Sequence, residues 1–309
     1  MQVKINEKLK SFILNKYGFE DLEILQVDQN GFRNVFKLVT ERGNFIIRIF
    51  PENRSKEQVI KDVEILIFLE KENFPAPRLI PTRNGEFMSK FNNSYALLIS
   101  YIEGQHPDSS EQTLHTMGEL LAKLHKINHN NYPHESSLTI HSEIQSLKGA
   151  LQKKDLTKLD RAELIPQVLN ALDSLPSLNF LPKTIIHTDI HPKNMIQNGD
   201  DYYFIDWDDA GVGTTILDLG YVLSQVCIGY YAKNISELIL RENLMKTFMA
   251  GYYKHRSLTK EEKENLVLAM QSCSLIYVIQ YWHPVIDYLS WERYKITKNN
   301  KEKILKLIG

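Results

Sequence analysis

Hydrophobic and polar residues alternate along this chain with two periods, and the place where one gives way to the other divides it. In MQVKINEKLKSFILNKYGF apolar residues return every three or four positions, which predicts an amphipathic helix over about Asn6 to Tyr17. Period two then takes over in LEILQVD, VFKLVTER and NFIIRIF, separated by the turns QNGFRN and RGN, an antiparallel meander. Ser55 and Gln58 form a capping box ahead of SKEQVIKDVEILIFLEKEN, where Val59, Val63, Leu66 and Ile67 fall at helical spacing until Pro75 and Pro77 end the helix. RLIPT and EFMSKF, joined around Asn84 and Gly85, read as a hairpin, and SYALLISYI as an apolar strand closing the sheet. The N-terminal third is expected to be a five-stranded antiparallel sheet with one helix after the third strand.

At YIEGQ the apolar run stops on a glycine, and from Glu111 the helical period returns in EQTLHTMGELLAKLHKI. This predicts an N-terminal lobe over 1–103 and a larger C-terminal lobe over 104–309. The second lobe reads as mainly helical, through LKGALQKKDLTKLDRAELIPQVLNALDSL, ISELILRENLMKTFMAGYYKHR and LTKEEKENLVLAMQSCSLIYVIQYW to a Lys-rich last helix. Strands with one helix, followed by helices, predict an α+β, two-lobed architecture with a cleft as the default ligand site.

Composition narrows the function classes. A formal net charge of -1 over 309 residues gives no general attraction to nucleic acid or to an anionic membrane, so neither is an expected partner. No apolar run reaches the ~18 residues of a membrane span, and the amphipathic opening segment is not a signal peptide. Cys227 and Cys273, without a CxxC spacing, fit incidental thiols in a reducing compartment. The expected location is cytoplasmic.

The chemistry concentrates in TIIHTDIHPKNMIQNGDDYYFIDWDDAGVGTTILDL, where His187, Asp189, His191, Asn194, Asp206, Asp208, Asp209 and Asp218 crowd the ends of short apolar strands. Phosphoryl transfer needs a hydroxyl held in line, a carboxylate to orient it and take its proton, and magnesium on the phosphate oxygens. Asp189 has the position of that carboxylate. Asn194 and Asp206, at the end of the strand YYFID, offer hard oxygens for Mg²⁺. The spacing HxDxxxxN is expected by chance in about one or two per cent of chains this long, so its setting between apolar strands adds much of the weight.

HTDIHPKN followed by FIDWDDAGVGTTILDLG resembles the catalytic core of the aminoglycoside phosphotransferase and choline kinase family, small-molecule kinases with a protein-kinase-like fold. The resemblance implies that Asp189 is the catalytic base, that Asn194 and Asp206 bind magnesium, and that Asp218 braces the catalytic loop. VDQNGFRNVFKLVT resembles the nucleotide-covering hairpin, FIIRIF the strand bearing a phosphate-binding cation, DVEILIFL the helix bearing its glutamate partner, and YALLISYIEG the hinge. Gly31, Asn34, Arg48, Glu64, Ser100 and Ile102 are then the implied nucleotide contacts, for ATP or GTP. The family usually has lysine where this chain has Arg48, a planar fork instead of a point charge. Thr188 and Lys193 likewise replace smaller residues.

Plainer readings stand beside these. His187 is expected to hold backbone more than to move protons, and Asp208 and Asp209 read as solvated turn or substrate-facing charges. Of Tyr277, Tyr281, Trp282, Tyr288, Trp291 and Tyr294, most are expected in the core and a few along an acceptor pocket. The leading function is an ATP- and Mg-dependent phosphotransferase acting on a hydroxyl of a small amine-bearing molecule of aminoglycoside, amino alcohol or homoserine type. One alternative is a metal-dependent hydrolase using His187, Asp189 and His191, which would share a face if HTDIH were a strand. The other is a non-catalytic kinase-like binding module.

Overall fold

The computed structural model describes residues 2–27, 34–134, 144, 149, 162–178, 180–208, 210–278 and 287–309, with side chains from residue 7. They group into two compact units, Met1–Gln105 with Ile196–Asp208, and His106–Met195 with Asp209–Gly309.

The first unit is built on a five-stranded antiparallel sheet in the order β1-β2-β3-β5-β4. The strands are β1 (Leu22–Gln26), β2 (Asn34–Thr40), β3 (Gly43–Ile49), β4 (Met88–Phe91) and β5 (Ser94–Ser100). Helix α1 (Gln2–Tyr17) closes one face: Leu9, Ile13 and Tyr17 pack with Leu22, Leu38, Ile47, Ile49, Ala96 and Leu98 in one buried cluster. Because strand side chains alternate, the burial of Ile47 and Ile49 in that cluster turns Arg48 to the opposite face. Helix α2 (Lys56–Lys71) starts at the predicted capping box, with Ser55 and Gln58 each bonded to the other's backbone amide.

RLIPT turns at Asn84 and Gly85 as expected, with Thr82 N on Glu86 O, but it does not pair with β4 as a hairpin strand. Pro81 has no amide proton to give a ladder, and this segment instead extends the β4 edge of β5 through Ile80 N to Leu98 O and Ser100 N to Arg78 O. Farther along, β7 (Met195–Asn198) pairs with β8 (Asp201–Phe204), and Gln105 bridges Gln197, which ties this later hairpin to the first unit.

The second unit is mainly helical. Helix α3 (Glu111–Leu124) and helix Glu242–Tyr253 approach closely at two glycines: a Cβ on Gly118 would lie 2.1 Å from Phe248 O, and one on Gly251 would lie 2.0 Å from His115 O. Any side chain there would force the backbones apart. Helix Ile216–Tyr221 continues as a π-helical turn, Val222–Val226, and packs on helix Lys260–Ile276, which opens with the capping box Thr259 and Glu262. Strand β6 (Lys183–Ile186) pairs antiparallel with β9 (Gly211–Thr214).

Two helical expectations are shortened. ISELIL is not part of a long helix, since only Ile235–Glu237 forms a single tight turn before the helix at Glu242. Of the charged stretch after Leu147, helix Ile165–Asp173 is seen and 150–161 lies outside the described residues. Cys227 and Cys273 are buried free thiols, pushed well above the ordinary range by burial.

Candidate active site

In the second unit, the segment from His187 to Asn194 leaves β6 as a loop. Thr188 adopts φ 74°, a left-handed conformation that a β-branched residue takes only when its surroundings hold it. What holds it is Asp218, wholly buried on helix Ile216–Tyr221, whose carboxylate accepts the amides of His187 at 2.9 Å and Thr188 at 2.7 Å. His187 is also fully buried, and its Nδ1 lies 3.4 Å from the amide of Asp189. It therefore secures backbone, as the sequence suggests.

Asp189 and Asn194 come together on this loop. Asn194 Nδ2 donates to both the carbonyl and Oδ2 of Asp189, each at 2.9 Å, which turns the amide oxygen away from Asp189 as the atom available to a cation. Pro192–Asn194 form one 3₁₀ turn with the Asn194 amide on His191 O, so the short spacing is what brings the two side chains into register. Burial works against the Asp189 charge, but hydrogen bonds from His191 and Tyr221 and the neighbouring imidazoles outweigh it and hold the carboxyl well below the usual range. His191 Nε2 stands 3.4 Å from Asp189 Oδ2 and its ring stacks on Tyr230, 5.1 Å between centroids. Tyr277 meets Tyr221 edge-on, whereas Trp291 and Tyr294 are buried against each other. Exposed Lys193 lies over Tyr231. Tyr281 and Trp282 are outside the described residues.

In the first unit, Arg48 meets Asp206. Phe204 and Trp207 pack with Phe74, Trp207 Nε1 bonds Phe204 O, and Phe204 N bonds Pro75 O, so the chain after β8 is pinned on both sides of Asp206, itself at φ 64°. Arg48 Nη1 donates to Asp206 Oδ1 at 3.0 Å, and Nη2 donates to Asp208 Oδ2. Asp208 is thus a partner of Arg48 and not a solvated turn residue; Asp209 lies outside the described residues. Beside them Arg54 clamps buried Asp62 through Nε at 3.1 Å and Nη2 at 2.7 Å, and also reaches Asp208 O. Burial, then the charge of Asp208, pushes the Asp62 carboxyl up to about 7 despite Arg54.

The other implied nucleotide contacts fall as follows. Asn34 opens β2 opposite Ile49, Glu64 is half-buried on α2, and Ile102 follows β5. The hydroxyl of Ser100 accepts the amide of Arg78. Gly31 lies outside the described residues. Sequence reasoning did not single out Arg54, Asp62, His125, Tyr221 or Tyr252; of these, only Tyr221 carried a local signal, three positions after Asp218.

HTDIH is not a strand. The left-handed turn at Thr188 breaks the two-residue alternation that the hydrolase reading needs, and no group of three or more His, Cys, Asp or Glu among the described residues is arranged to hold a metal ion. The side-chain oxygens of Asn194, in the second unit, and of Asp206, in the first, are each hard donors of the kind that a Mg²⁺-like ion prefers. No described helix is long and apolar enough to cross a membrane.

Comparison with known proteins adds to this geometry. A homoserine kinase of Zymomonas mobilis is 22% identical over 253 residues, 79% of this chain and 75% of that enzyme. Among solved structures, an amicoumacin kinase in complex with AMP-PNP, Ca²⁺ and Ami superposes with TM-score 0.63 at 15% identity, covering 99% of this chain and 96% of the other. Choline kinase from Cryptosporidium parvum gives 0.64 at 12% identity, covering 97% and 96%. These likenesses show an α+β, protein-kinase-like two-lobed fold. The sequence model of the phosphotransferase enzyme family matches residues 24–252, from β1 to the helix that carries Tyr252. The chain therefore belongs to the phosphotransferase enzyme family and is a small-molecule kinase.

Proposed function

We propose that the protein transfers the γ-phosphoryl group of ATP, with Mg²⁺, to a hydroxyl of a small amine-bearing molecule, an amino alcohol, homoserine or an aminoglycoside. The observation that carries this reading is the pair of 2.9 Å bonds from Asn194 to Asp189, which fixes a proton acceptor and a cation ligand on one short turn. Asp189 stays ionised across the working pH range, so it orients the acceptor hydroxyl and takes its proton as the oxygen attacks. Asn194 and Asp206 are the oxygen ligands of the divalent cation, which when bound neutralises charge on the phosphate oxygens. Arg48, whose fork is held by Asp206 and Asp208, is the cation for the phosphates, with Gly31, Asn34, Glu64, Ser100 and Ile102 completing the nucleotide contacts.

The acceptor class follows from the homoserine kinase named above and from the likeness in fold to amicoumacin and choline kinases. Tyr230, half-buried and stacked on His191 beside Asp189, is an aromatic side chain of the kind that suits an ammonium group. The test is magnesium-dependent ADP formation from ATP with amino alcohols, homoserine, aminoglycosides and sugars, against Asp189→Ala. Acceptor-stimulated turnover that vanishes in the variant is the expected result. Turnover that survives Asp189→Ala would overturn the assignment of the base.

A further inference from the structure

Behind Asp218 runs a buried row of hydrogen bonds that the transfer chemistry does not require. His125, the C-cap of α3, has Nε2 3.1 Å from Asp218 Oδ2 and Nδ1 2.9 Å from the hydroxyl of Tyr252. Arg256 Nη1 donates to that same hydroxyl at 3.0 Å, and its Nη2 to Glu262 Oε1 at 2.8 Å. Glu262, wholly buried, accepts the Thr259 amide through Oε2 at 2.9 Å. The contact at Gly118 and Gly251 is what sets the helix of Tyr252 this close to α3.

The protons along this row have one consistent assignment. Burial lowers the affinity of His125 for a second proton, so the ring is neutral and carries one N–H. A carboxylate only accepts, so that proton sits on Nε2 and points at Asp218. Nδ1 is then a bare acceptor and takes the hydroxyl proton of Tyr252, while the tyrosine oxygen accepts from Arg256, which can only donate. From Arg256 through Tyr252 and His125 to Asp218 every donor points the same way, an arrangement in which each bond polarises the next. The end of the row is Asp218, which holds the amides of His187 and Thr188 immediately before Asp189.

We infer that Tyr252 and Arg256 are positioning residues of the kinase: through the Nε2–H form of His125 they fix the Asp218 carboxylate, and with it the strained Thr188 turn that places Asp189. The inference rests on Asp189 being the base, so one of its readouts is independent of turnover.

That readout is the ring nitrogens of His125, observed in the full-length protein labelled with ¹⁵N-histidine. A single Nε2–H tautomer, unchanged between about pH 6 and 8, is expected. In Tyr252→Phe the Nδ1 resonance should move to the position of a bare imine nitrogen. Turnover should fall about tenfold while the dissociation constant for ATP stays the same, because one buried bond to the loop support is lost. A second variant, Arg256→Met with Glu262→Gln, removes the donor to Tyr252 without stranding a buried carboxylate, and the amide that replaces the carboxylate keeps an oxygen for Thr259. It should lose about threefold in turnover with the fold retained.

An Nδ1–H tautomer in the parent protein would overturn the inference. So would full turnover in a folded Tyr252→Phe. If the tautomer is as expected but Asp189→Ala still turns over, the role of Asp189 fails and the buried row stands.

Discussion

The loop at Asp189 and the cluster at Arg48 hold carboxylates in opposite ways. Around Asp189 the partners are amides, imidazoles and a phenol, every one able to donate, and the carboxyl is held well below its usual range in spite of burial. Around Arg48, three carboxylates and two guanidiniums share a small volume, and Asp62 is pushed up to about 7 by burial and by the charge of Asp208. The same residue type therefore stays ionised in one place and sits near neutrality in the other. What differs is whether the nearest groups donate hydrogen bonds or compete for them.

The sharpest way to break this contrast is at Asp189 itself. Asp189→Ala should lower kcat by about 10³-fold with ATP affinity little changed, because the variant removes the proposed base and no proposed nucleotide contact. Arg48→Ala comes next. It leaves Asp206 and Asp208 without their shared cation and should raise the KM for ATP about tenfold; Arg48→Lys should recover part of that, since a point charge satisfies one carboxylate at a time.

The Asp62 comparison is read through stability against pH. A carboxyl whose folded pKa lies above its unfolded value contributes stability that is complete below about pH 4 and is lost as pH rises through 7. Asp189 has the opposite sign, with stability present above its unfolded pKa and lost toward strong acid. Asp62→Asn should therefore flatten the decline in Tm between pH 5 and 8, whereas Asp189→Asn should leave that window unchanged. A parent Tm that rises across it would contradict the assigned direction.

The smallest effect is expected at Thr188. Glycine adopts φ 74° without steric strain, so Thr188→Gly should raise stability by up to about 1 kcal/mol in denaturant titration, offset in part by the freer unfolded chain. Turnover should hold, because the amide that Asp218 grips is still present.

Much of this was legible because it is local. HxDxxxxN predicts that Asp189 and Asn194 share one short loop, and the structure joins them across it by two bonds. Ser55 with Gln58 predicts the start of α2 for the same reason. RLIPT misleads because its apolar pattern suits a hairpin strand, while the segment bonds to β5 in line with β4 and stops at Pro81, which has no amide proton. ISELIL misleads because its apolar spacing suits a helix, whereas only Ile235–Glu237 makes a single turn and the helix begins at Glu242.

The five-stranded sheet, the helical remainder and the loop that carries Asp189 were legible in the residues alone, because each follows from short-range periodicity or from a turn of fixed length. Only the tertiary structure decided that Arg48 would face Asp206 and Asp208, and that Asp218 would be backed by His125 and Tyr252. Those pairs lie 93 to 160 positions apart, as for His125 with Asp218 and Arg48 with Asp208. Their meeting depends on strand register and on two glycines letting helices touch, and neither the partner nor the resulting charge state is written in the residues on either side.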